Sequence, residues 1–542
     1  MSQHNMSDYD KTYKEFKWEV PEYFNFAGDV IDKWAKDPNK LAMWWVDDEG
    51  TEIKKTFLQL SSASKKLANL LAAQGVRQND VVMVILPRNI EWWEIFTACI
   101  RMGVLLAPGT TQLTSKDLEY RANTSKAVCI ITNNDIAAKF DEVKAKCPTV
   151  KSRIVITAPR KDWLFYTDEV GKASDKFETV KTKSTDNCLV YFTSGTVGMP
   201  KMALHTHSSY PIGHQVTGKF WLDLKPEDLH WNISDTGWAK AAWSSYFGPW
   251  NCGSAQFIHH TTRFDPTKTL ELLAKYPVTV MCGAPTIYRM LVLQDLSKYK
   301  FPSLRHCVGA GEPLNPEIIE VWKRATGCTI RDGYGQTETV LLCGSFPCIE
   351  PRFGSMGKPT PGFDIQVVDD EGKILQANTE GDIAIRVKPN RPVGLFKEYW
   401  KEPERTASVY RGDWYITGDR AYRDEDGYFW FVGRADDVIL TSGYRIGPFE
   451  VESALIEHPA VAESAVVSSP DETRGEIVKA FVILAPGYKG SPELEKELQE
   501  YVKKVTAPYK YPRKIDFVDA LPKTISGKIR RVELRNAEWG KK

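Results

Sequence analysis

The apolar positions change their period along the chain, and the changes divide it into three textures. Between about residues 55 and 290, short apolar runs alternate with stretches of helical spacing. VVMVIL (81–86), AVCIIT (127–132) and SRIVIT (152–157) read as buried strands, and IEWWEIFTACIRMG (90–103) reads as a helix. TLELLAKYPVTVMCGAPTIYRML (269–291) reads as helix, strand, loop and helix. Strand–helix alternation of this kind predicts an α/β sheet with helices on its faces. From about 355 to 432 the texture shifts to FDIQVVD, GDIAIRV and GYFWFVG, separated by Gly- and Asp-rich turns, which predicts a β-rich, barrel-like subdomain.

The last hundred residues form a third, smaller α+β pattern. PFEVESALIEHP (448–459) has a helix-opening Pro and an HP stop. AESAVVSS and VKAFVIL follow as strands. SPELEKELQEYVKKV carries Glu early and Lys late, the order a helix dipole favours. The junction GRADDVILTSGYRIG (433–447) concentrates Gly, Asp and Arg. The expected division is therefore a large N-terminal domain, 1–433, and a small C-terminal domain, 434–542. A length of 542 residues agrees, since single cores stop growing near about 250–300 residues.

Composition narrows the function classes. With 71 Lys+Arg against 70 Asp+Glu the net charge is +1, which lacks the basic excess of a nucleic-acid surface. Ten cysteines without a CxxC pair speak against a zinc site or a disulfide framework. No apolar run reaches about 18 residues, so no membrane span is expected. The first twenty residues lack an apolar signal core and carry Asp8, Asp10 and Glu15. The cytoplasm is the expected compartment, and homo-oligomerisation stays open.

One loop carries chemistry. In TSGTVGMPK, Thr193, Ser194, Gly195, Thr196, Val197, Gly198, Met199, Pro200 and Lys201 combine hydroxyls, glycines and a cation. Successive N–H groups in such a loop can cradle phosphate, although an ordinary Gly/Ser/Thr turn has the same composition. His205 and His207 give an HxH pair with no evident third ligand, so a structural role is expected for both.

The order of the motifs adds what composition lacks. TSGTVGMPK, GAGEPL (309–314), DGYGQTE (332–338), WYITGD (414–419), GRADDVILTSGYRIGPFEVE (433–452) and PKTISGKIRR (522–531) resemble, in sequence, the signatures of the adenylate-forming superfamily. Within it the chain most resembles medium-chain acyl-CoA synthetases, through YFTSGT, SDTGWAK, GYGQTET and TAPYKYPRKI. The resemblance implies a two-step ligase. A carboxylate attacks the α-phosphorus of ATP, giving acyl-AMP and pyrophosphate, and coenzyme A then displaces AMP. A carboxylate is already ionised at pH 7, so such a reaction needs positioning and charge stabilisation rather than a general base.

The resemblance also implies residue roles. Residues 193–201 would hold the β- and γ-phosphates, Thr337 the α-phosphate, and Glu338 the Mg²⁺. Gly309, Ala310, Gly311, Glu312 and Pro313, with Asp332, Gly333, Gly335 and Gln336, would border the nucleotide. Tyr334 would stack on adenine, Asp419 would take the ribose hydroxyls, and Arg434 would contact ribose or phosphate. Lys528 would reach the α-phosphate during adenylation only, with the small domain turning about Asp436. Ser442, Gly443 and Tyr444 would form the coenzyme A channel, with Arg445 near the AMP phosphate or the carboxylate. Arg474, Arg513 and Gln112 match positions that contact coenzyme A. For the acid, Gly335 stands where acetate enzymes carry Trp, which implies a longer pocket walled by Trp221, Trp238, Lys240, Trp243, Cys282 and Gly283. A medium-chain or branched short-chain acid is expected. Aromatic acids such as benzoate, or a carrier-protein acceptor, are the alternatives.

Overall fold

The computed structural model describes residues 4–193, 200–441, 444–471, 474–523 and 528–540, with backbone only at Tyr444 and Arg445. The predicted strands and helices appear where the apolar periodicity places them: strands Val81–Ile85, Cys129–Thr132 and Ser152–Val155, and helix Ile90–Arg101. The 269–291 stretch resolves into helix Pro266–Lys275, strand Val280–Gly283 and helix Pro285–Val292. Asp265 caps the first of these by accepting from the Lys268 N–H.

Two large sheets fill the N-terminal part. One has eight strands. Asn187–Thr193 pairs with Leu105–Pro108 in parallel and with Lys201–Thr206 antiparallel, so the strands on either side of residues 194–200 are neighbours. The other has nine strands. Ile330–Gly335, His306–Ala310, Val280–Gly283, Leu229–Ile233, Ala255–His260 and Leu41–Asp47 run parallel in that order. These strands are largely buried, which needs cover on both faces of the sheet. Thr193, Ile233, Gly283, Ala310 and Gly335 all end such strands, on the edge where open α/β sheets bind ligands.

The β-rich part is a five-stranded antiparallel sheet in which Trp414–Arg423 pairs with Gly381–Arg386, Tyr410–Arg411 and Phe429–Arg434. The junction forms a short hairpin, Ile439–Thr441 against Tyr444–Ile446. Beyond it, helices Pro448–Ile456 and Pro492–Val505 cover a three-stranded sheet, Val461–Asp471, Gly475–Leu484 and Lys514–Phe517. This sheet has its own core around Val451, Leu455, Val478 and Leu498. A bridge between Lys523 and Ile529 closes the base of the Lys528 loop. All ten cysteines are free thiols. Among the described residues no helix is long and apolar enough to cross a membrane.

Candidate active site

Sheet register brings the most acidic part of the site together. Asp419 lies opposite Arg434 in the antiparallel pair, and Arg434 Nε stands 3.2 Å from Asp419 Oδ1. Tyr334 OH and Gln336 Nε2 both donate to Asp419 Oδ2 at 2.6 Å. Burial pushes the Asp419 carboxyl above its ordinary value, against the pull of Arg434 and these two donors. Asp332, buried in strand Ile330–Gly335, is also pushed up by burial, with the Gly333 N–H opposing.

Glu338 is 7% exposed, and Tyr399 OH donates to its Oε1 at 2.8 Å. Lys201 Nζ donates to Tyr399 OH at 2.7 Å and lies 3.5 Å from the same carboxylate oxygen. The other oxygen of Glu338 has no hydrogen-bond partner among the described residues. No group of three or more His, Cys, Asp or Glu there could hold a metal alone. One buried carboxylate with a free oxygen suits a Mg²⁺ that brings phosphate ligands of its own.

Glu312 is fixed from the start of helix Pro285–Val292. Thr286 gives it the backbone N–H at 3.1 Å and the hydroxyl at 2.5 Å. Lys240 Nζ donates to the Ala310 carbonyl at 2.8 Å, and burial lowers its ammonium, with Cys282, Glu312 and Asp332 opposing. Lys528 is lowered by the protein packed round it, against Glu312 and Asp419 and with Arg434 adding to the effect. Its side chain still meets cavity solvent, so screening weakens that shift.

These groups line two cavities. The larger, about 980 Å³, is walled by Trp238, Lys240 and Trp243, with Gln112 also on its lining. The second, about 450 Å³, is walled by Pro313, Asp332, Tyr334, Glu338, Asp419 and Arg434, and by Pro448, Phe449 and Arg531 of the small domain. Thr193, Gly311, Glu312, Gly335, Gln336, Thr337 and Lys528 border both. Lys528 therefore stands where the two cavities meet.

Other expected residues lie elsewhere. Trp221 is fully buried beneath Gly333, and its Nε1 donates to the Asp332 carbonyl at 3.1 Å. Cys282, buried in its strand with Sγ 3.6 Å from Ser244 Oγ, and Gly283 also stand behind the cavity wall rather than on it. Arg474 sits exposed in the turn before Gly475–Leu484, and Arg513 Nη1 donates to Tyr511 OH at 2.6 Å; neither lines a cavity. Asp436 lends its carbonyl to Arg535, which also holds Asp437 Oδ1 at 2.7 Å. Pro200 accepts from Tyr120 OH at 3.0 Å. Ser194, Gly195, Thr196, Val197, Gly198, Met199, Ser442 and Gly443 lie outside the described residues. Tyr399 and Thr286 were missed in the sequence because nothing local marks them; only the fold brings them to Glu338 and Glu312.

His205 and His207 are both fully buried. Burial lowers His205 to about 3, so its ring is neutral, and its Nε2–H donates to the Thr337 carbonyl at 2.8 Å.

Comparison with known proteins agrees over nearly the whole length. The "AMP-binding enzyme" family model matches residues 31–400, and the "AMP-binding enzyme C-terminal domain" matches 450–528. The chain is 55% identical to the acyl-coenzyme A synthetase ACSM3, mitochondrial, of Homo sapiens, over 99% of this chain and 93% of that one. The anthranilate CoA ligase AuaEII in complex with anthranoyl-AMP superposes with a TM-score of 0.87 at 31% identity, covering 96% and 98% of the two chains. MatB from Rhodopseudomonas palustris, 26% identical over 95% of this chain and 98% of its own, superposes at 0.85 in its ATP-bound form and at 0.77 in its apo form. The chain belongs to the AMP-binding enzyme family, the adenylate-forming superfamily that its motifs resemble.

Proposed function

With that membership as premise, we propose that the chain is an AMP-forming acyl-CoA synthetase, an acid–thiol ligase for medium-chain or branched short-chain acids. The two cavities that share the Gly335–Thr337 wall carry this reading. The 450 Å³ cavity offers the buried carboxylate and tyrosine for ribose and adenine, and the 980 Å³ cavity offers an apolar pocket walled by tryptophan. An acyl carboxylate on one side and an α-phosphate on the other meet beside Thr337 and Lys528. Holding reactants at that spacing supplies much of the rate, and cations at the developing phosphoryl charge supply more.

Asp419, released from Tyr334 and Gln336, accepts from ribose hydroxyls. Lys201 and the 193–201 loop neutralise the departing pyrophosphate. Glu338 would hold a Mg²⁺ entering with ATP, which would offset phosphate charge. Lys528 brings its ammonium to the α-phosphate. We read the observed placement of the small domain as the adenylation arrangement. Lys528 at the junction of the cavities supports this, and so does the higher TM-score to ATP-bound than to apo MatB. For the second half-reaction we propose rotation about Asp436, which would bring the 441–445 segment to the site and open a path for coenzyme A past Gln112. Arg445 would approach the AMP phosphate, and Arg474 and Arg513 would take coenzyme A phosphates. The domain division at 433/434 follows from the same reading.

The likeness to an anthranilate ligase keeps an aromatic acid as the second reading. The ACSM3 relative is named mitochondrial, so we assign the mitochondrion to this chain in place of the cytoplasmic expectation. The test is a panel of acids from two to twelve carbons, with benzoate, incubated with Mg·ATP with and without coenzyme A. Thioester formation and coenzyme A-dependent AMP release are expected with mid-length acids. AMP release that never depends on coenzyme A defeats the ligase reading in favour of another acceptor.

A further inference from the structure

The turn between the cavities is braced from below by side chains that touch neither cavity. The Thr337 carbonyl accepts two hydrogen bonds, from Tyr210 OH at 2.5 Å and from His205 Nε2 at 2.8 Å. Tyr210 is fully buried, with the His205 ring 3.6 Å and the His214 ring 4.7 Å from its own. The phenol oxygen is itself an acceptor: Trp243 Nε1–H donates to it at 3.2 Å. Trp243 also walls the larger cavity, and its ring presses on the other end of the same turn. A Cβ on Gly335 would lie 2.3 Å from Trp243 Cη2 and 2.5 Å from the Val340 carbonyl oxygen.

We propose that Tyr210 is a positioning residue that links the acyl-pocket wall to the α-phosphate turn through the chain Trp243 Nε1–H to Tyr210 OH to Thr337 carbonyl. The direction of the chain is fixed at both ends. Indole N–H can only donate and a carbonyl can only accept, so the phenol must point its hydrogen at Thr337. Consecutive bonds of this kind polarise one another inside a protein. The neutral His205 ring completes the bracket, with Ser209 Oγ 3.1 Å from its Nδ1. An acid that fills the larger cavity packs on Trp243. It thereby holds the indole N–H on the phenol, and the phenol holds the Thr337 carbonyl, which orients the Thr337 N–H and hydroxyl toward phosphate. A short acid leaves Trp243 free to shift, and the turn loses its brace. Tyr210 would thus convert occupancy of the acid pocket into geometry at the phosphorus.

This inference rests on the ligase reading, and the experiment separates the two. Acid-dependent ATP–pyrophosphate exchange is measured for the wild type, Tyr210→Phe, Trp243→Phe and the double variant, with a mid-length acid and with acetate. Exchange by none of the acids in the wild type defeats the ligase reading. With an active wild type, Tyr210→Phe is expected to lower kcat about tenfold with the mid-length acid, the scale of one lost buried hydrogen bond. The KM for ATP should stay within about twofold, a split that general loosening of the fold would not produce. The loss caused by Trp243→Phe should largely vanish in the Tyr210→Phe background. Equal Trp243→Phe losses in both backgrounds, or an unchanged kcat for Tyr210→Phe, overturn the relay. Should Tyr210→Phe fail to fold, Trp243→Phe decides alone: a kcat fall with unaltered ATP KM supports the relay, and an unaltered kcat overturns it.

Discussion

The two domains hold their site residues in opposite ways. On the large domain every charged group of the site is pinned. Glu338 is held by Tyr399, Glu312 by Thr286, and Asp419 by Tyr334, Gln336 and Arg434. On the small domain Lys528 precedes Ile529, which bridges to Lys523. That domain meets the large one through polar contacts, with Arg289 Nη1 3.4 Å from Glu463 Oε1 and Asn315 Nδ2 donating to the Ser453 carbonyl at 3.5 Å, and through an aromatic one, the Phe449 ring 6.5 Å from that of Phe431. Glu463 also holds Lys523, at the base of the Lys528 loop, at 2.8 Å. Interfaces between domains that mix polar and apolar contacts in this way permit domain motion unless they are large and hydrophobic. On the proposed reading, the contrast separates a pre-set frame for phosphate from a cation that the small domain would deliver on docking.

Breaking the frame should cost most. Glu338→Ala is expected to lower adenylation about 10²–10³-fold, the scale for loss of one preorganised electrostatic contact, measured by pyrophosphate release. Activity within a few-fold of wild type would remove Glu338 from the frame. Gly335→Ala comes next. Its methyl would meet both Trp243 and backbone, so it should destabilise by about 1–3 kcal/mol and depress turnover of mid-length acids more than of acetate. An unaltered chain-length profile would show that Trp243 and Gly335 do not bound the acid.

Acid should attack the frame before the interface. His205 and His230 are lowered by burial to about 3, His207 and His306 to about 4, and His214 well below its ordinary 6.5. Each is neutral when folded and gains a proton when unfolded. Stability is therefore complete above pH 6.5 and falls by up to about 1.4 kcal/mol per pH unit per histidine as pH drops toward those values. The raised Asp332 and Asp419 oppose part of this. A Tm that drops steeply between pH 6.5 and 5 is expected; a flat Tm would contradict buried neutral rings. The interface should yield the smallest effect. Glu463→Gln, which weakens both the Arg289 and Lys523 pairs, is expected to slow adenylation about two- to fivefold and spare thioester formation. Equal slowing of both halves would deny those pairs a role in docking.

The contrast also explains what was legible in the sequence. Strand runs such as VVMVIL and the helix IEWWEIFTACIRMG read directly because their burial is local and periodic. The order of the motifs placed Asp419, Arg434 and Glu338 in one site; sheet register pairs Asp419 with Arg434, and Glu338 lines the same cavity. Partners from distant segments left no local trace: Tyr399 for Glu338, Thr286 for Glu312 and Tyr210 for Thr337 meet only in the fold. The acid pocket was legible only in part. Trp221 ends one short π-helical turn, Thr217–Trp221, and Trp243 opens another, Trp243–Phe247, and ordinary α-helical spacing gives no hint of either.

The most direct test of a fixed frame and a delivered cation is Lys528→Ala with the half-reactions measured apart. The account expects pyrophosphate release from Mg·ATP and acid to fall about 10²–10³-fold. Conversion of supplied acyl-AMP and coenzyme A to thioester should stay within about twofold of wild type, because that step uses the domain turned away. Equal loss in both halves would contradict it.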